Sequence, residues 1–215
     1  MLKISDINLF IFANKLTKMK KLHYLLTVFL IMQCLNLFSQ KVGEVDGITI
    51  PRVIKFSDRE ILLNGVGVRA KLIFDIYTQA LYLTNLSSNP KEIIDSNTTM
   101  GMIFYMTSPL VTSKKFSRNL DAGIRKTVGD EKWTSFKSEL ALMEQFVNSD
   151  EIVKNDVFNI IYNDADSSLW IIKNGIVKGK IPGFEFKKAF FGMWLSDNPV
   201  KESLKNDLLG IKKES

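Results

Sequence analysis

The chain has 215 residues, 46% of them hydrophobic, with 29 lysines and arginines against 23 acidic residues. Its single histidine, His23, and single cysteine, Cys34, both lie in the first 40 residues. If that segment is removed, Ser-His-Asp and Cys-His triads, imidazole or thiolate zinc sites and disulfides are all excluded.

The segment reads as a leader. Lys18, Lys20 and Lys21 precede an apolar stretch from Leu25 to Phe38, which ends at Ser39-Gln40. A charged n-region, an h-region of secretory length and a small residue near the cut form a signal-peptide pattern. A membrane span needs roughly 20 apolar residues, and this stretch has 14. Met19-Lys20-Lys21 makes a conventional start, leaving residues 1–18 as a misassigned upstream start or an extended n-region. Cys34 does not make a lipoprotein site, because Gln33 stands where a small residue is required. The expectation is a signal peptide over residues 1–40 and one exported domain over 41–215, periplasmic or secreted, with no stable membrane span after processing. Residues 1–40 carry five lysines and one aspartate, so 24 basic residues against 22 acidic remain and the net charge falls from +6 to +2. The high pI is therefore no pointer to nucleic acid.

In chain order, Val45 to Ile48, Val53 to Phe56 and Glu60 to Leu63 read as short strands, with Asp46-Gly47 and Ser57-Asp58 as turn residues. Ile61 to Val68 is an apolar run broken only by Asn64, Gly65 and Gly67, and Arg69 follows it. Glycines there let another backbone, or a ligand, come close. A guanidinium in an apolar setting is costly unless an anion meets it. Arg69 is thus either a cation waiting for a ligand's anion or a strand-end residue, solvated or paired with a structural acid. Asp75 is the nearest candidate counter-ion. Lys71 to Leu83 predicts a long strand, on which Tyr77 and Tyr82 fall on opposite faces, so at most one shares a pocket with Arg69.

Ser88-Asn89-Pro90 starts a short helix. Thr98 to Met106 is apolar on both faces and predicts a central strand. Helices are expected over Thr112 to Val128, with Phe116, Leu120 and Ile124 at four-residue spacing, and over Asp130 to Phe146, with Trp133, Phe136, Leu140 and Met143 on one face. Asp156 to Tyr162 and Leu169 to Ile172 read as strands, and Asn174-Gly175 as the tight turn into Ile176-Val177. A helix over Phe184 to Leu195 follows, and Asn198-Pro199 opens another that stops at Gly210. Asp164 and Asp166 read as a solvated hairpin loop, Lys114-Lys115 and Lys187-Lys188 as solvated helix faces, and the three tryptophans as core or covering residues. Strands joined by hairpins, without regular βαβ alternation, argue an antiparallel α+β layer fold.

Two stretches carry a resemblance. The first holds Gly47-Ile48-Thr49-Ile50-Pro51, Leu63 to Arg69 and Ala80-Leu81-Tyr82-Leu83. The second holds Asn174-Gly175, Gly179 to Gly183, Phe190 to Leu195, Asn198-Pro199-Val200 and Leu204 to Gly210. In order and spacing they resemble the chalcone isomerase-like family, in its secreted bacterial branch. The resemblance implies an open-faced β-sandwich in which an antiparallel sheet and a layer of helices enclose an apolar cleft. Plant members close a chalcone into a flavanone; plastid relatives bind fatty acids without isomerase activity. In both, an Arg after a glycine pair faces the ligand's anionic group, and Arg69 matches it. The enzyme's threonine falls at Tyr77, its tyrosine at Phe116, its asparagine near Gly123 and a second threonine near Val200. Phe116 cannot make a tyrosine's hydrogen bond, so the polar set for isomerisation is lost while the Arg anchor stays. The expected ligand site is therefore Arg69, Tyr77 and Phe116, without a cofactor or metal. Its ligand would be a fatty acid or a similar amphipathic, flavonoid-like molecule. An intramolecular lyase and a structural envelope protein are the alternatives, and the oligomeric state is not legible.

Overall fold

The computed structural model describes residues 43–45, 47–71 and 74–211, and of Lys71, Phe74 and Asp75 the backbone alone. The leader expected over residues 1–40 lies outside the described residues.

Seven strands run as one antiparallel meander, each hydrogen-bonded to the next in sequence. They are β3 (Val53–Phe56), β4 (Arg59–Lys71), β5 (Phe74–Leu83), β6 (Met100–Met106), β7 (Val157–Asn163), β8 (Ser168–Lys173) and β9 (Ile176–Pro182). A separate hairpin pairs β1 (Gly43–Val45) with β2 (Ile48–Ile50), so the strand expected from Val45 to Ile48 is instead divided, with Val45 ending one strand opposite Ile48, which opens the other. Tight turns carry the positive φ they need at Ser57, Asn174 and Gly175. β6 is the middle strand, and the apolar run over 98–106 is explained by a core on each face. Met100, Met102, Phe104 and Met106 face the helices, while Ile103 faces a smaller cluster with Ile50, Ile61 and Tyr82.

The helices are α1 (Pro90–Asp95), α2 (Ser113–Ser135), α3 (Lys137–Val147), α4 (Phe184–Leu195) and α5 (Glu202–Leu208). α2 kinks at Gly129, where the sequence divides the two expected helices, but the second of these is itself broken at Phe136. That residue leaves helical geometry to put its ring edge-on to Phe186 at 5.5 Å. The last helix opens at Glu202 rather than after Pro199, because the Val200 amide donates to the Met193 carbonyl at 2.8 Å and holds residues 198–200 against α4.

The glycine pair of β4 serves the first of its two readings, the close approach of another part of the chain: backbone at Gly65 and side chains at Gly67. A Cβ on Gly65 would collide with the carbonyls of Asp207 and Leu208, and one on Gly67 with Leu204. Asn64 adds a side-chain hydrogen bond to the Leu208 carbonyl at 2.9 Å. Residues 65, 67 and 69 alternate onto one face of β4, opposite Leu81, Gln79 and Tyr77. α5 covers the two glycines, and the next side chain on that face is Arg69.

Lys187 corrects the solvated-face expectation. α4 is buried on nearly every side, and Lys187 is 0% exposed. Its ammonium donates to Ile93 O at 3.2 Å, Ile94 O at 2.9 Å and Ser96 O at 2.7 Å. These are carbonyls at the end of α1, where a helix leaves acceptors unmet, and they offset part of the cost of taking the ammonium out of water. The rings of Tyr162, Phe184 and Phe191 stand 5.4–5.8 Å from Nζ. Lys188 beside it stays partly exposed and pairs with Asp95 at 2.9 Å. Asp164 and Asp166 are likewise not simply solvated: Thr99 donates to Asp164, and Lys180 pairs with Asp166 at 3.1 Å.

Gly65→Ala should destabilise the fold by about 1–3 kcal/mol in urea unfolding, since backbone carbonyls cannot swing aside as a flexible side chain can. Burial pushes the Lys187 ammonium from its ordinary 10.5 down to about 7, with Asp95 opposing and Lys188 assisting. Below pH 7 folded and unfolded chains both hold that proton; between 7 and 10.5 only the unfolded chain does, so stability rises with pH through this window. Lys187→Met should flatten that rise when the two proteins are compared by urea unfolding from pH 7 to 10.

Candidate functional site

One end of the sheet's helix-covered face is left open. There β4, β5, α2 and the α4–α5 connection enclose a cleft of about 690 Å³. Its inner wall is aromatic. Tyr77 stands edge-on to Phe104 at 5.3 Å and to Phe116 at 6.2 Å, and Trp194 packs on Phe104 at 5.5 Å. Leu110, Val111, Leu120 and Met193 complete the apolar lining.

Arg69 and Tyr77 are direct cross-strand partners, so their side chains leave the sheet on the same face. The register shifts between Arg69 and Ala70, an irregularity that re-aims side chains at a strand end. Arg69 is half-buried. Its guanidinium donates a long hydrogen bond, 3.4 Å, to the neighbouring Ala70 carbonyl and lies close to the Tyr77 hydroxyl. None of the salt bridges among the described side chains involves it. The side chain of Asp75, the expected counter-ion, lies outside the described side chains. Burial raises the Tyr77 pKa, and the neighbouring Arg69 and Trp194 only partly offset this. Tyr77 is thus a neutral phenol that can donate. Tyr82, as strand parity requires, sits on the other face, where its hydroxyl donates to Pro51 O at 2.6 Å.

α2 supplies the opposite wall. Phe116, Leu120 and Ile124 point into the core at their four-residue spacing. Lys115, Asn119, Ala122 and Lys126 form the adjacent stripe and line the cleft rim. Lys126 donates to Pro199 O at 2.9 Å and Lys115 to Leu110 O at 3.3 Å, drawing the rim together. The positions matched from the resemblance (Arg69, Tyr77, Phe116, Gly123 and Val200) all line this one cleft. Gly123 opens no space there, because the end of Met193 fills the room its missing Cβ leaves. Asn119, one turn earlier, puts an amide on the same wall.

From sequence, Lys115 reads as a solvated helix face and Trp194 as core or covering, and Asn119 and Lys126 carry no assignment. A stripe at spacings of four, three and four beside the core stripe of α2 was the available signal. Trp133 and Trp170 are covering residues, as expected: Trp133 donates to Asp121 at 2.7 Å under the Arg125 guanidinium, and Trp170 stacks edge-on with Phe56 at 5.7 Å.

The electrostatics of the cleft are one-sided. Its described lining contains three cations, Arg69, Lys115 and Lys126, and no carboxylate. Among the described residues no three His, Cys, Asp or Glu side chains gather to hold a metal ion, and no helix is long and apolar enough to cross a membrane. The described lining holds no thiolate, imidazole or carboxylate; its polar groups are the three cations, the Tyr77 phenol, the Asn119 amide and the Trp194 indole.

A search of curated protein sequences finds no match. Among solved structures, the fold is similar to the crystal structure of a fatty-acid binding protein from Arabidopsis thaliana. The TM-score is 0.64 at 14% identity, over 79% of this chain and 96% of that one. At this identity the likeness is one of fold. The chalcone isomerase-like family profile matches residues 42–210, which hold the whole meander, the five described helices and the cleft, and the chain belongs to the chalcone isomerase-like family.

Proposed function

We propose that the protein is an exported, non-enzymatic binding protein for a fatty acid or similar amphipathic carboxylate. The observation that carries the reading is the cleft's composition: an apolar hollow whose described lining has three cations and not one acid. Such a lining has no internal anion to offer Arg69, so a ligand's anion is the partner that fits. The cleft's 690 Å³ falls within the size range of small-molecule sites, about 300–1,000 Å³. The fold's similarity to a fatty-acid binding protein supports the ligand class. Export rests on the leader pattern of Lys18 to Gln40.

Magnitudes divide the work within the site. Burying ten to twelve methylenes contributes roughly 8–9 kcal/mol gross, at about 0.8 per methylene. A charge-assisted hydrogen bond adds about 1.5–3 kcal/mol net. The hollow sets affinity, while Arg69 and Tyr77 decide which end of the ligand enters and which head group is tolerated. Phe116 acts by shape: it closes the wall between Tyr77 and the core where a tyrosine would have offered a hydroxyl.

Delipidated protein should bind dodecanoic acid in calorimetric titration, and Arg69→Ala should bind it at least tenfold more weakly. Equal affinities would remove the anchor role. The same protein should convert a chalcone no faster than buffer, followed by loss of chalcone absorbance; an Arg69-dependent conversion would favour the lyase instead.

A further inference from the structure

The apolar part of Trp194 is accounted for by its packing, and its polar atom is not. The side chain is 1% exposed, held between Phe104 at 5.5 Å and Phe190 at 5.3 Å. Its Nε1–H is buried and makes no hydrogen bond of good geometry among the described residues; the Tyr77 hydroxyl, which can accept as well as donate, lies close enough for only an imperfect contact. A buried indole N–H normally finds an acceptor, because leaving it bare forfeits the bond that water supplied in the unfolded chain. Trp194 lines the cleft, and its indole lies beside the Tyr77 phenol, which also neighbours Arg69.

Three donors of different chemistry therefore meet at one place: a guanidinium, a phenol and an indole. Neither guanidinium nor indole can accept a hydrogen bond, and the phenol has one proton to give. The described cleft lining has no carboxylate to receive them. A carboxylate brings two oxygens with about four acceptor sites, whereas an alcohol brings one oxygen, no charge and a proton of its own that must be placed. A site built from donors rejects the analogue that cannot receive them all, since a buried donor is then left unmet.

Resting on the carrier reading, we propose that the Trp194 Nε1–H is the third donor to the ligand's carboxylate and a determinant of selectivity for acid over alcohol. The ring is held from both sides by aromatic neighbours, so the donor is fixed in place before the ligand arrives. Arg69 supplies the charge, and Trp194 supplies direction.

The test uses the full chain with two probes of equal length, dodecanoic acid and 1-dodecanol. Trp194→Phe keeps an aromatic ring in the wall and deletes the N–H. It should bind the acid roughly tenfold more weakly than wild type, a loss of the size expected for one hydrogen bond to a charged group, and the alcohol equally well. In proton–nitrogen spectra of the wild type, the Trp194 indole resonance should move downfield with the acid and stay in place with the alcohol. It can be assigned by elimination with Trp133→Phe and Trp170→Phe, so the measurement stands even if Trp194→Phe fails to fold. Unchanged acid binding by Trp194→Phe, equal losses for both probes, or an indole resonance indifferent to bound acid would each overturn the inference while leaving the carrier reading intact. If the wild type binds no acid at all, the carrier reading falls and this inference falls with it.

Discussion

A guanidinium keeps its proton in any protein, so partly withdrawing Arg69 from water creates a demand that something else must meet. The fold does this by geometry. Side chains 65, 67 and 69 share one face of β4; helix α5 lies down on the two that are glycine and ends its cover before the third. Arg69 emerges beside the helix rather than under it, opposite Tyr77, with the aromatic wall of Phe104, Phe116 and Trp194 behind. The cleft is the remainder of a helix layer that stops short, and the anion preference proposed for it would follow from the cations that border it.

The same sheet face shows how differently two cations can be accommodated. Lys187 is shielded more completely than Arg69, yet its needs are met internally by three carbonyls at the end of α1 and by ring faces around it. A compact ammonium suits such a pocket of oxygens; a planar guanidinium with five donors suits a planar anion. The lysine fastens α1 to α4, whereas the arginine meets only the Ala70 carbonyl, at 3.4 Å, among the described hydrogen bonds. Burial of a cation is therefore not in itself a sign of function, and the whereabouts of its acceptors decides.

Sequence reasoning reached those features whose cause is local. The two-sided apolar run of β6, the Asn174-Gly175 turn and the limits of α4 are fixed by neighbouring residues, and all three match the structure. Strand parity alone separated Tyr77 from Tyr82. Features caused by distant contacts were harder. Lys187 and Lys188 are adjacent in sequence, and only the position of α1, some ninety residues away, sends one inward and the other toward solvent. Trp194 reads as core, which it is; that its N–H finds no well-formed hydrogen bond depends on a residue of β5, Tyr77, far away in sequence. The glycine pair signalled a close approach, but nothing local told a helix from a ligand. Asn119 went unnoticed because attention fell on Gly123, one turn along the same wall.

The place of α5 in the order of synthesis has a consequence of its own. The helix that closes over Gly65 and Gly67 is made of residues 202–208, nearly 140 positions later. A chain emerging from the ribosome has its β4 glycines bare, and one wall of the hollow, at Val200, not yet made, until residues 200–208 follow. Completion of the hollow is thus a late event. For the export proposed above, that lateness is useful, because a polypeptide that cannot finish folding stays threadable, and one that cannot yet hold lipid does not load before it reaches its destination.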